Sequence, residues 1–133
     1  MKSVKVFVVL NHLLGDEQMV DLRETYGVGE VVYLPPELKT IWGNIPPSYN
    51  EAEIYANVVN PILQWIENLT IPGDLVVVQG ETCATYALAK HLNKKGIRCL
   101  AACSRRETEE HAMPDGSVQK TSTFRHVRFR YIM

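Results

Sequence analysis

An α/β fold, with an open, mainly parallel sheet, flanking helices and a C-terminal antiparallel β-ribbon, is what this sequence predicts, and three observations carry it. Val4 to Leu10 is a nearly unbroken apolar, β-branched run, the pattern of a strand buried on both faces of a parallel sheet. Further apolar strands alternate with stretches of helical periodicity, which argues for right-handed crossovers. Beyond residue 104 the pattern changes to two arms joined at Pro114-Asp115-Gly116, a hairpin signal.

The elements follow in order. After Asn11-His12, Asp16 and Glu17 open a short helix carrying Met19, Val20 and Leu22, which stops at Gly27 and Gly29. Glu30 to Leu34 is the second strand. Pro35, Pro36, Pro46 and Pro47 surround Ile41-Trp42-Gly43-Asn44; prolines lack the N–H donor a central ladder needs, so Pro35 to Tyr49 reads as a structured loop. From Glu51 to Leu69, Ile54, Val58, Ile62, Leu63, Trp65, Ile66 and Leu69 recur at helical spacing, with Pro61 bending this helix or marking its start. Leu75 to Val78 is the third strand, Thr82 to Lys95 a helix ending at Gly96, and Ile97 to Ala102 the fourth strand. The arms Arg105 to Ala112 and Val118 to Tyr131 form the ribbon. Alternation in the last arm places Phe124, His126, Arg128 and Arg130 on one face and Val127, Phe129 and Tyr131 on the other.

With 133 residues, 46% apolar and 22% charged, the composition excludes disorder and fibrous repeats and fits one domain over residues 1–133. The longest apolar run near the start is too short for a secretory segment or for the roughly 20 residues that span a bilayer, so no membrane association is expected. Three cysteines without CxxC spacing disfavour a disulfide framework or a zinc site and point to a reducing cytoplasm. Residues 1–89 carry 4 basic and 11 acidic side chains, residues 90–133 carry 10 and 4. Either the C-terminal segment faces an anion or the charges pair within the chain. The near-neutral total argues against duplex DNA as a partner.

In open α/β sheets a ligand binds beyond the carboxyl ends of the strands, and three loops meet there. Asn11-His12 offers an amide and an imidazole, or a local cap. Gln79-Gly80-Glu81-Thr82-Cys83-Ala84-Thr85 is a strand-to-helix turn whose free N–H groups and macrodipole favour a phosphate, unless Thr82 or Thr85 merely caps the helix. It is neither a Walker loop nor GxGxxG, so no nucleotide cofactor is expected. Ser104-Arg105-Arg106 brings a hydroxyl and two guanidiniums suited to phosphate, or to pairing with Glu107, Glu109 and Glu110. No carboxylate pair has helical metal spacing, so no metal site is expected. His126 beside Arg128 is a candidate acid, base or phosphate ligand, and Trp42 either stacks a base or belongs to the core.

Asn11-His12-Leu13, Tyr33-Leu34-Pro35 with Trp42 and Ile45-Pro46-Pro47, Val78-Gln79-Gly80-Glu81-Thr82 with Ala84-Thr85, Ser104-Arg105-Arg106 and the string from Phe124 to Arg130 together resemble a small Csx-type CRISPR-associated family of type III systems. The resemblance spans nearly the whole chain. Cys83 and Cys103 depart from it, standing where the family pattern has Gly and Thr. It implies a Rossmann-like, CARF-like domain that forms a homodimer and binds a cyclic oligoadenylate, with cyclic tetra-adenylate the expected ring. It also implies a ring nuclease needing neither metal nor cofactor, in which the ligand's ribose 2′-hydroxyl attacks its own phosphate. Arg105 and the Gly80 to Thr82 amides would stabilise the developing charge, and His12 or His126 would move a proton. A module that sequesters the ring uncleaved, and a basic arm that contacts RNA, are the alternatives.

Overall fold

The computed structural model describes residues 3–133. The chain runs through β1 (Val4–Val9), α1 (Asp16–Tyr26), β2 (Val28–Tyr33), α2 (Pro36–Gly43), α3 (Glu51–Ile54), a π-helical turn (Tyr55–Val59), α4 (Asn60–Leu69), β3 (Leu75–Val78), α5 (Thr82–Lys94), β4 (Arg98–Ala112) and β5 (Val118–Tyr131). The strands form one mixed sheet in the order β2-β1-β3-β4-β5. β1 pairs in parallel with β2 and β3, and β3 with β4, while β4 and β5 pair antiparallel from Leu100↔Tyr131 to Ala112↔Val118. That last ladder is the longest, so the sheet is less dominated by parallel pairing than the strand–helix alternation predicts. Among the described residues no helix is long and apolar enough to cross a membrane.

Strict alternation along β1 and β3 sorts the core into two layers. Phe7, Val9, Val76 and Val78 face α2 to α5, against Trp42, Val58, Ile62, Ile66, Leu88 and Leu92. Val6, Val8, Leu75 and Val77 face α1, against Leu14, Leu22 and Phe129. Val6 to Val9 of β1 and all four residues of β3 are buried on both faces, which is why these runs read as continuous apolar segments. Fully buried chains such as Ile62 and Leu88 each contribute roughly 1.5–3 kcal/mol of transfer free energy.

Three elements differ from the expectation. The proline-flanked segment is not wholly a loop: Pro36 starts α2, where its missing N–H costs nothing and its fixed φ suits the first turn. Pro61 stands at the start of α4, and the turn before it is π-helical, with Asn60 N–H bonded to Tyr55 carbonyl, so the ladder passes the proline without ending the helix. The fourth strand and the first ribbon arm are one strand, β4, whose outer half leaves β3 and pairs only with β5.

Candidate functional site

The strand order reverses at β1 and β3. The loop after β1 leads to α1 on one face of the sheet, and the loop after β3 leads to α5 on the other, so a crevice opens between them at the carboxyl ends. Gln79, anchored by its N–H to the Val9 carbonyl at 3.2 Å, divides the crevice in two. On the α1 side a cleft of about 660 Å³ is lined by His12, Gly15 to Gln18, Gln79, Ala102, Ser104, Phe124 and His126. On the other side a smaller hollow of about 230 Å³ is lined by Asn11, Trp42, Gly43, Ile45, Gln79, Gly80 and Glu81.

Trp42 borders the hollow but is 3% exposed, and its indole Nε1–H donates to the Gln79 carbonyl at 3.0 Å. It is a core residue that holds the β3–α5 turn in place, and it has no open face on which a base could stack. Gly80 is required beneath it, because a Cβ there would lie 2.7 Å from the ring.

The phosphate expected at the N-terminus of α5 meets an obstacle. Glu81 is the N-cap, and its carboxylate accepts from Cys83 N–H at 2.5 Å and Ala84 N–H at 3.2 Å. A resident anion therefore occupies those donors. Thr82 is exposed, Ala84 is buried in the core and Thr85 Oγ1 is buried without a hydrogen-bond partner among the described residues; none of the three lines either cavity. The Glu81 charge, with some desolvation, also raises the pKa of the exposed Cys83 thiol, which keeps it protonated.

The N-terminus of α1 is the opposite case. Its N-cap is Gly15, which has no side chain to offer, and the N–H groups of Asp16, Glu17 and Gln18 have no protein acceptor among the described residues. The residues that carry these amides line the larger cleft. In the sequence this segment reads only as a helix start, although a glycine at the N-cap beyond the first strand is a sign of open donors. Asp16 and Glu17 lie in the same turn, and Glu17 is neutralised by Arg125 Nε at 3.0 Å.

His126 reaches the cleft by a route the alternation did not show. The ladder pairs Cys103 with Arg128 and Ser104 with His126, so Val127 is an extra residue, a β-bulge. The bulge shifts the phase by one, placing His126 on the α1 face with Phe129 instead of on the cationic face with Arg128 and Arg130. Its ring packs against that of Phe129, tilted by 50° with centroids 4.7 Å apart, and its Nε2 lies 2.7 Å from Asp21 Oδ2. Burial pushes the Asp21 carboxyl upward, but hydrogen bonds from Thr25 and His126 and the charges of His126 and Arg128 outweigh it and hold its pKa below the ordinary value.

The arginines are not gathered at the rim. Arg105 falls out of phase with Ser104 and pairs with Glu107 at 3.0 Å, Arg106 Nη2 donates to Ser122 Oγ at 3.1 Å, and Arg128 Nε donates to the Phe129 carbonyl. None lines the cleft. Of the charge segregation read from the sequence, Arg105, Lys120 and Arg125 are spent on ion pairs within the chain. The structure thus brings together His12, Gln79, Ser104 and His126, adds Gly15 to Gln18 and Phe124, and leaves Arg105, Arg106, Arg128, Thr82, Ala84 and Thr85 outside.

No solved structure matches this chain. A protein of Methanocaldococcus jannaschii, described as uncharacterized protein MJ1673, is 32% identical over 126 residues, covering 95% of each chain. The family model described as the uncharacterized protein MJ1673 family matches residues 4–130. The chain therefore belongs to the MJ1673 family.

Proposed function

We propose that this protein is a Rossmann-like, CARF-like ring nuclease that binds cyclic tetra-adenylate in the cleft on the α1 face and opens it by attack of a ribose 2′-hydroxyl on the adjacent phosphorus, so lowering a type III antiviral messenger in the cytoplasm. The reading rests on the family resemblance of the motifs and, in the geometry, on one observation: His12 after β1, Gln79 after β3 and Ser104, where β4 has run past its pairing with β3, line one cleft together with Gly15 to Gln18 at the start of α1. The unused amides of that helix start suit a phosphate, and they take over the part the α5 turn was expected to play. Because the nucleophile belongs to the ligand, the protein contributes alignment, charge stabilisation and proton transfer. A two-fold symmetric ring calls for a homodimer in which each subunit offers the same cleft.

A second reading, sequestration without cleavage, is favoured by the engagement of Arg105 with Glu107, which removes the guanidinium from the site of charge development. One assay separates them. Purified protein is incubated with cyclic tetra-adenylate in EDTA, and the products are resolved by chromatography and mass spectrometry. Linear adenylates ending in a 2′,3′-cyclic phosphate, formed over several turnovers, support the nuclease; intact ring co-eluting with the protein supports sequestration. Neither binding nor cleavage removes both readings.

A further inference from the structure

Past Leu100, where its pairing with β3 ends, β4 continues against β5 alone, and the two form an arm that runs out beyond the carboxyl edge of the sheet, next to the cleft. From Ser104 to Arg125 every residue of the arm and its turn is exposed except the half-buried Glu107. A two-stranded ribbon with both faces in water is at best marginally stable, so an arm of this length calls for a surface to lie on. The chain exposes 8584 Å², about 1,500 Å² more than the roughly 7,100 Å² of a compact monomer of its mass. That excess is larger than the roughly 800 Å² that each partner gives to a standard interface.

The two faces of the arm differ. Alternation puts Arg105, Arg125, Glu107, Glu109 and His111 on one face, where Arg105 pairs with Glu107 at 3.0 Å, Arg125 with Glu17 at 3.0 Å, and His111 Nε2 lies 3.5 Å from Glu109. The other face, continuous with the cleft, carries Phe124, 71% exposed, and Val118, 59% exposed. It also carries Arg106, whose guanidinium reaches the Ser122 hydroxyl and no carboxylate among the described residues. Along this face the cross-strand pairs run Arg106↔Phe124, Thr108↔Ser122, Glu110↔Lys120 and Ala112↔Val118. The order is therefore a cation beside an aromatic ring, then two small hydroxyl residues, then an ion pair, then an apolar tip.

We propose that this face of the arm is the interface with a second copy of the chain, and that the tip of each arm forms part of the rim of its partner's cleft. The order of residues is self-complementary. A two-fold axis crossing the arms at the Thr108–Ser122 pair stacks two such faces antiparallel, with the small residues together at the centre. Arg106 then stands opposite the partner's Glu110, and Phe124 opposite the partner's Lys120: an ion pair and a cation over a ring, each made twice. The partner's Ala112 and Val118 come to the mouth of the cleft beyond Phe124. The family resemblance implies a homodimer but names no surface for it; the arm supplies the surface and gives each copy a share in the other's site. The interface does not depend on the ring or on its cleavage.

The test is analytical ultracentrifugation of the ligand-free protein over a range of concentrations, for the wild type, Arg106→Glu, Glu110→Lys, the double variant with both changes, and Phe124→Lys. Expected are a wild-type dimer of twice 15.1 kDa and a dimer weaker by roughly tenfold or more in each single variant, because each places a like-charge contact twice in the interface. The double variant, which exchanges the two charges, should recover. A wild-type monomer at high micromolar concentration overturns the interface, and needs no variant to fold. A dimer that the single variants leave unchanged overturns the arm as its surface, and weakening without recovery in the double variant overturns the facing of Arg106 and Glu110. The tip is placed by mixed dimers: a nitroxide on Val118→Cys, in a Cys83→Ser chain, should broaden the Ser104 and Phe124 amide signals of a ¹⁵N-labelled wild-type subunit, and the same chain with Val118 intact should not. Unbroadened signals overturn the tip's place at the cleft.

Discussion

Trp42 closes over Gly80 so tightly that a side chain on the glycine would have its Cβ 2.7 Å from the indole Cε2 and Nε1. The indole is buried and tied through Nε1 to the Gln79 carbonyl, so it has little room to yield. Gly80→Ala is expected to destabilise the fold by about 1–3 kcal/mol, the usual cost of forcing an extra methyl into a packed site. Urea denaturation measures it, and an unchanged midpoint would mean that the indole swings aside.

Glu81 caps α5 with its own carboxylate. Glu81→Ala is expected to cost about 0.5–2 kcal/mol, as for other lost caps. The milder Glu81→Gln keeps the shape and removes the charge that raises Cys83, so thiol labelling of Cys83 should speed up at neutral pH. Cys99 is an internal control: burial pushes its thiol up to about 12, and it should remain unlabelled until the protein unfolds.

The Asp21–His126 contact ties α1 to β5 and carries a pH signature. Asp21 titrates below its ordinary value of 3.8 in the folded chain, so folding favours its ionised form. That contribution is complete above the unfolded value and is lost as pH falls through the folded one. Stability measured by denaturation should therefore decline as pH drops below about 4. In Asp21→Asn stability should be lower at neutral pH and its decline in that acid window shallower; an identical acid profile would show that the carboxylate makes no net contribution.

Deleting Val127 should restore strict alternation between β4 and β5 while leaving Ser104 opposite His126. His126 then stands two positions before Phe129 on one regular face, so it should stay turned toward α1 and keep its contact with Asp21. The readout is the His126 imidazole signal, which should be retained. Loss of that signal would show that the local twist of the bulge, and not the register alone, sets the direction of the ring.

What could be read from the sequence follows from local chemistry. Val4 to Leu10 and Leu75 to Val78 announce buried strands because both faces are covered, and the spacing from Ile54 to Leu69 announces a helix because one face is. The Asp115-Gly116 turn likewise announces the hairpin. That Asn11, His12 and Gln79 meet at one edge was legible too, since the carboxyl ends of the strands of an open α/β sheet share that edge by construction, whereas Ser104 reaches it from within the long β4. α2 was hidden because a proline that excludes a strand is equally at home in a helix's first turn, and only burial of Trp42 against the sheet decides between loop and helix.

The rest belongs to the tertiary structure, and the reason is the same in each case: the deciding partner is distant along the chain or depends on backbone phase. One extra residue, Val127, changes which face His126 occupies, and a bulge exists only in relation to the opposing strand. Whether a helix N-terminus is open to a ligand depends on where a neighbouring side chain folds, which closes α5 through Glu81 and leaves α1 open behind Gly15. The arginines of the ribbon look like a phosphate site in sequence, yet phase and nearby glutamates direct Arg105 elsewhere. Asp21, 105 positions from His126, has no local mark at all; the packing of α1 on β5 alone makes them a pair.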